Sequence, residues 1–188
     1  MSAPPEVPPI VSRAFAVSRR AGYVSFCRNE TGRLLATLAA TRAGTMAEFG
    51  TGAGVGTAWL RSGVRPGTQI ISAELNAVLA VAAQEIFEDD PQVEVLAADW
   101  STLRNKGPYS LLFLDPSVPE DASVDAVADL VEPGGIVVLD DFAPCQMWPP
   151  ITAGRVDILR EMWLTDERFT AVEVMVAPDA SALIATRR

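Results

Sequence analysis

The stretch Met46-Ala47-Glu48-Phe49-Gly50-Thr51-Gly52-Ala53-Gly54-Val55-Gly56 constrains this chain more than any other. It closes a short apolar run and opens an amphipathic one from Thr57 to Leu60, so its glycines fall where a strand turns into a helix. Glycine takes positive φ freely, and its missing side chain lets a ligand come close to the backbone. The following helix offers unpaired N–H groups and the positive end of its dipole to whatever lies in the turn. Such a turn reads as the floor of a nucleotide-like cofactor site.

The segments around it alternate. Residues 45–49, 69–73, 93–97, 109–114 and 136–139 are predicted strands, and most are continuous apolar runs without alternation. Helices are expected over 57–62, 77–87 and 124–130, with Val78, Leu79, Ala82 and Ile86 on one face of the second. Glu132-Pro133-Gly134-Gly135 reads as a tight turn into the fifth strand. Strands that are apolar throughout are buried on both faces, which implies a doubly wound, mostly parallel sheet between helix layers. After a helix near 154–164, strands at 170–176 and 181–186 are separated only by a short Pro178-Asp179-Ala180 link, too short for a crossover, so they should form an antiparallel hairpin. Before the first strand, residues 2–9 read as a proline-rich tail. A helix from Ile10 runs to Gly22, and Asn29 caps a second with Leu34, Leu35, Leu38 and Ala39 as its stripe. The expected organisation is a tail and helix over 1–28, serving as cover or lid, and one domain over 29–188.

Composition narrows the chemistry. The 188 residues suit one domain with a sizeable core, and 49% of them are hydrophobic. A net charge of −9 argues against nucleic acid as a partner. There is no histidine, which removes histidine triads, ligands and bases together, and Lys106 is the one lysine. Cys27 and Cys145 form no CxxC pair and read as reduced structural thiols. No apolar run is long enough to span a bilayer, and the N-terminus lacks a signal pattern, so no membrane association and a cytoplasmic location are expected.

Each of the five predicted parallel strands ends in or beside a carboxylate: Glu48, Glu74, Asp99, Asp115, and the pair Asp140 and Asp141. Ligands of open α/β sheets bind outside these strand ends, near the point where strand order reverses. The dinucleotide pattern G-x-G-x-x-G fails in both registers, its third glycine falling on Val55 or Thr57, and no phosphate-loop motif is present. Glu48 would repel a pyrophosphate. A row of acids suits a ligand carrying an ammonium or a sulfonium.

Glu48-Phe49-Gly50-Thr51-Gly52-Ala53-Gly54 resembles the E-x-G-x-G-x-G signature of class I S-adenosylmethionine (SAM)-dependent methyltransferases. Glu74, Asp99, Pro133-Gly134-Gly135 and the closing hairpin fall where that family has matching elements, so the resemblance covers residues 29–188. It implies a Rossmann-like, seven-stranded sheet and SAM as cofactor. It further implies that Gly50, Gly52 and Gly54, with Thr51, pass under the methionine part. Glu48 would hold the amino group, Glu74 the ribose hydroxyls and Asp99 the adenine amino group. Asp115 joins this cofactor set, and Trp100 either packs on the adenine or is a core aromatic.

Within the class, Thr31-Gly32-Arg33-Leu34-Leu35 resembles the helix start of the catechol and caffeoyl-CoA O-methyltransferase group. That group holds a divalent ion at positions that are here Asp115, Asp140 and Asp141, an oxygen-only donor set that suits Mg²⁺ or Ca²⁺. Two departures stand out: Asp141 replaces the group's asparagine, and Val118 its catalytic lysine. The base would then be a carboxylate, Asp115 or Asp140. The resemblance implies O-methylation of a small-molecule acceptor, with a homodimer compatible with it. The alternatives are a catalytically degenerate cofactor-binding protein acting in a complex and, less well matched, a nicotinamide-dependent oxidoreductase. The apolar stretch 142–150, with Trp148, walls the acceptor pocket or packs on the sheet edge, and Tyr23 and Phe26 are further pocket candidates.

Overall fold

A computed structural model describes residues 6–25, 27–115 and 123–188 of the chain. Val118 and Phe26 lie outside the described residues, as do residues 2–5 of the expected tail. Two helices, α1 (Pro9–Arg20) and α2 (Asn29–Ala40), precede the first strand. There follow β1 (Met46–Phe49), α3 (Val55–Gly63), β2 (Ile70–Glu74), α4 (Ala77–Phe87), β3 (Val93–Ala97), a 3-10 turn (Trp100–Asn105), β4 (Tyr109–Leu114) and α5 (Val124–Ala128). The chain continues through β5 (Val131–Phe142), a small hairpin of β6 (Ile151–Thr152) and β7 (Arg155–Val156), α6 (Ile158–Thr165), β8 (Phe169–Ala177) and β9 (Ala180–Arg187).

Seven strands form one sheet in the order β3-β2-β1-β4-β5-β9-β8. The first five are parallel, and β9 inserts antiparallel between β5 and β8. The order reverses between β1 and β4, the place at whose strand carboxyl ends open α/β sheets bind their ligands. Every residue of β1 and β4 is buried, because both faces are covered. Successive side chains divide between two cores. Met46, Leu111, Phe113 and Val138 pack under α1 to α4, whereas Ala47, Phe49, Leu112 and Leu139 pack with Trp100, Val127 and Trp163 on the other side. Val11, Ala14 and Val17 of α1 belong to the first core, so α1 is packed into the body of the fold.

Several expectations need correction. Asn29 is the first residue of α2, and Arg28 holds the cap position. The buried face of α4 is Ala80, Ala83, Ile86 and Phe87, while Val78 is 73% exposed; with nine apolar residues in eleven, periodicity alone cannot choose the inward side. Glu132-Pro133-Gly134-Gly135 is no separate turn but an irregularity inside β5, since Tyr109 pairs with Val131 and Leu111 with Ile136. The β6–β7 hairpin was not anticipated. Trp148 is 62% exposed, so most of its surface faces solvent and not a sheet edge. Among the described residues no helix is long and apolar enough to cross a membrane.

Candidate functional site

The glycine turn is anchored from below. Gly50 and Thr51 donate their N–H groups to Ala73 O at 3.1 and 3.2 Å, which ties the turn to the end of β2. Gly50, Gly52 and Gly54 all have positive φ, at 85°, 53° and 88°, a conformation that side chains oppose. Gly52 N–H donates to Glu74 Oε2 at 2.7 Å, and Asn76 N–H to Glu74 Oε1 at 2.8 Å. Each carboxylate oxygen keeps a lone pair beyond these bonds.

Four carboxylates meet at the strand ends. Glu48, Glu74, Asp115 and Asp140 are only 1%, 9%, 8% and 6% exposed. They share one electrostatic neighbourhood: Glu48 feels Asp115 and Glu74, and Asp140 feels Asp115. Burial is the main reason that the Glu48 carboxyl is held well above the usual range. Glu48 faces the first turn of α3, where Thr57 Oγ1 donates to it, and a Cβ on Gly56 would meet its Oε1 at 2.0 Å. Asp115 closes β4, with its N–H on Phe49 O at 3.0 Å.

Asp140 and Asp141 sit on a bulge. The β5–β9 register slips between Leu139 and Phe142, and Asp141 takes φ 66°, so one extra residue re-aims the strand end. Asp140 turns toward α2 and accepts from Thr31 Oγ1 at 2.9 Å. Burial, against two hydrogen bonds, lifts its carboxyl to about 6. Asp141 is exposed. Among the described residues no group of three carboxylates or cysteines is placed to hold a metal ion. Asp115, Asp140 and Asp141 form no such group in this arrangement: Asp115 and Asp140 are buried, and the bulge leaves Asp141 exposed.

Asp99 stands apart from the buried group. It is exposed and caps the 3-10 turn, accepting from Ser101 N–H at 2.9 Å, a bond that holds its carboxyl below the usual range. Trp100 turns inward, 7% exposed, stacked on Phe49 at 4.9 Å with the Arg104 guanidinium over its ring.

Three features lay beyond the reach of sequence reasoning. Thr51 Oγ1 is buried in the turn with no hydrogen-bond partner among the described residues. Such an orphaned hydroxyl is costly unless something completes it. Cys27 is buried beside the acids, and burial first, then Asp140, Glu48 and Asp115, pushes its thiol well above the usual range. Arg160, 1% exposed on α6, pins the segment just past the bulge. Its Nη2 donates to Ala143 O at 2.9 Å, its Nη1 lies 3.3 Å from Glu173, and its guanidinium covers the Phe142 ring at 4.9 Å. No motif marks Arg160, since its partners beyond its own helix come from two other segments, residues 142–143 and Glu173.

No family model matches the sequence, and no curated protein matches it. Solved structures match the fold along nearly the whole chain. An O-methyltransferase from Bacillus cereus in complex with SAH superposes with a TM-score of 0.70 at 18% identity, covering 98% of this chain and 93% of that one. The O-methyltransferase TomG from Streptomyces achromogenes, involved in tomaymycin synthesis and solved with SAM, gives 0.71 at 20% identity, covering 97% and 92%. A methyltransferase from Geobacter sulfurreducens gives 0.77 at 17% identity, covering 98% and 90%. The chain thus has the class I methyltransferase fold, with the sheet and reversed final strands that the sequence resemblance implies.

Proposed function

We propose that this chain is a SAM-dependent methyltransferase that transfers a methyl group to an oxygen of a small molecule. One observation carries the reading: buried carboxylates gather round a glycine turn at the strand-order reversal, and no described arginine or lysine pairs with Glu48, Glu74 or Asp140. Buried anions without a counter-charge are expensive, so the site favours a cationic guest. Thr51 Oγ1, unpartnered in the turn, adds a polar atom for such a guest to satisfy. Bound there, SAM supplies a methyl carbon on a sulfonium, open to displacement by a nucleophile.

The chain's own residues divide the remaining work. Gly50, Gly52 and Gly54 let the ligand lie on the backbone, and Thr51 Oγ1 binds its methionine end. Glu74 accepts from the ribose hydroxyls with the lone pairs that Gly52 and Asn76 leave open. Asp99 accepts from the adenine amino group, beside Trp100. Asp140, near neutrality at about 6, takes the acceptor's hydroxyl proton as the oxygen–methyl bond forms and the methyl–sulfur bond breaks; Asp115 stands by it as the second carboxylate. Orientation of acceptor and methyl supplies much of the rate. This proton route needs no metal. The O-methyltransferases among the structural neighbours support oxygen as the nucleophile.

Titration calorimetry with S-adenosylhomocysteine tests the reading directly. Saturable binding is expected, and no heat at millimolar ligand would reject it.

A further inference from the structure

Tyr23 is where the N-terminal section touches the glycine turn. Its backbone is fixed twice to the end of α1: Tyr23 N–H donates to Ser18 O at 3.0 Å, and Ser18 Oγ donates to Tyr23 O at 2.6 Å. From this mount the ring lies on Gly52, where an added Cβ would meet Tyr23 Cε1 at 2.8 Å and its hydroxyl oxygen at 2.9 Å. The open surface that a glycine offers a ligand is therefore covered by a phenol. Burial first, then Asp115, Glu74 and Glu48, lift that phenol to about 12, so it stays neutral. It fills the space over the turn and brings no positive charge to the acids.

The residues on either side of it are open to solvent. Gly22 has φ 67° with open space where a Cβ would stand, and Val24 is largely exposed. We propose that Tyr23 is a removable stopper, its ring covering Gly52 in the unliganded chain and swinging off the turn as ligand enters. This rests on the reading of the turn as a cofactor site. Whatever favours the closed position then weakens apparent binding: if the ring is seated in about nine molecules of ten, affinity falls about tenfold.

Calorimetry with S-adenosylhomocysteine on the wild type, Tyr23→Ala, Tyr23→Phe and Ser18→Ala decides the matter, with circular dichroism melts confirming that each is folded. Tyr23→Ala should bind about tenfold more tightly, because the open state no longer competes with a seated ring. Tyr23→Phe keeps the ring and should match the wild type within about a factor of three, while Ser18→Ala, which loosens the mount, should fall between. Equal binding by Tyr23→Ala overturns it, because the ring then does not compete with the ligand, and weaker binding overturns it, because the ring is then a ligand contact; both leave the functional reading standing. Should Tyr23→Ala not fold, Ser18→Ala binding no tighter than the wild type overturns it. Binding by none of the proteins overturns the functional reading, and the stopper with it.

Discussion

Gly56, Gly63 and Gly32 are glycine for different neighbours, and only one of those neighbours belongs to the site. A Cβ on Gly56 would strike the Glu48 carboxylate, one on Gly32 the Trp59 indole at 2.2 Å, and one on Gly63 the Ala36 carbonyl oxygen at 2.0 Å. A side chain can retreat; a backbone carbonyl in a packed helix cannot. Gly63→Ala should therefore cost about 2–4 kcal/mol in urea unfolding, an overpacking penalty at the upper end of its kind, and a loss under about 1 kcal/mol would mean that α2 and α3 separate easily. At the turn, Glu74→Ala should lower S-adenosylhomocysteine affinity at least about tenfold, since it removes the acceptor proposed for two hydroxyls and frees Gly52 N–H. Unchanged affinity would show that the ribose lies elsewhere. Glu74 and the glycines could be picked out in sequence because motif spacing carries them. Thr31 and Cys27 could not: each reaches Asp140 from a segment more than a hundred residues away.

The end of β5 shows how elements rather than residues set the site. A bulge turns Asp140 toward α2, and Arg160 on α6 grips the two residues after it. Arg160 lies between Asp157 at 3.3 Å and Glu173 at 3.3 Å; Ser181 Oγ, opposite Phe142, sits 2.5 Å from Glu173 Oε1. Arg160→Met would strand two shielded carboxylates and should lose about 3–5 kcal/mol. The double variant Arg160→Met/Glu173→Met should recover part of that loss, which equilibrium unfolding of the two proteins would measure; no recovery would mean that packing on Phe142, not charge, is what the guanidinium contributes. Apart from the β6–β7 hairpin, the order of strands and helices was readable, because continuous apolar runs and turn residues mark it locally. The inward face of α4 was not, since its alanines and valines are equally apolar and only the β2–β3 surface and α1 select among them.

For the molecule as a whole, the buried acids invert the usual dependence of stability on pH. Asp140 rises from 3.8 to about 6 on folding, and Glu48 rises as well. Between those values the folded chain binds more protons than the unfolded chain, so these groups favour folding at low pH, and that contribution is lost as pH rises through about 6. For Asp140 alone the loss by pH 7 is on the order of 3 kcal/mol. The unliganded protein should therefore melt higher at pH 5 than at pH 7, and Asp140→Asn should flatten the difference. A melting temperature that climbs from pH 5 to pH 7 would mean that the acids are solvated. What the sequence determined by itself was the fold class, the strand order of events along the chain and the row of acids, all written in local spacing and hydrophobic runs. Which acids gather in one buried group, that Asp99 and Asp141 stay outside it, that Tyr23 lies on Gly52 and that Arg160 braces β5 were decided by tertiary structure, because each depends on segments that meet only when the sheet is wound.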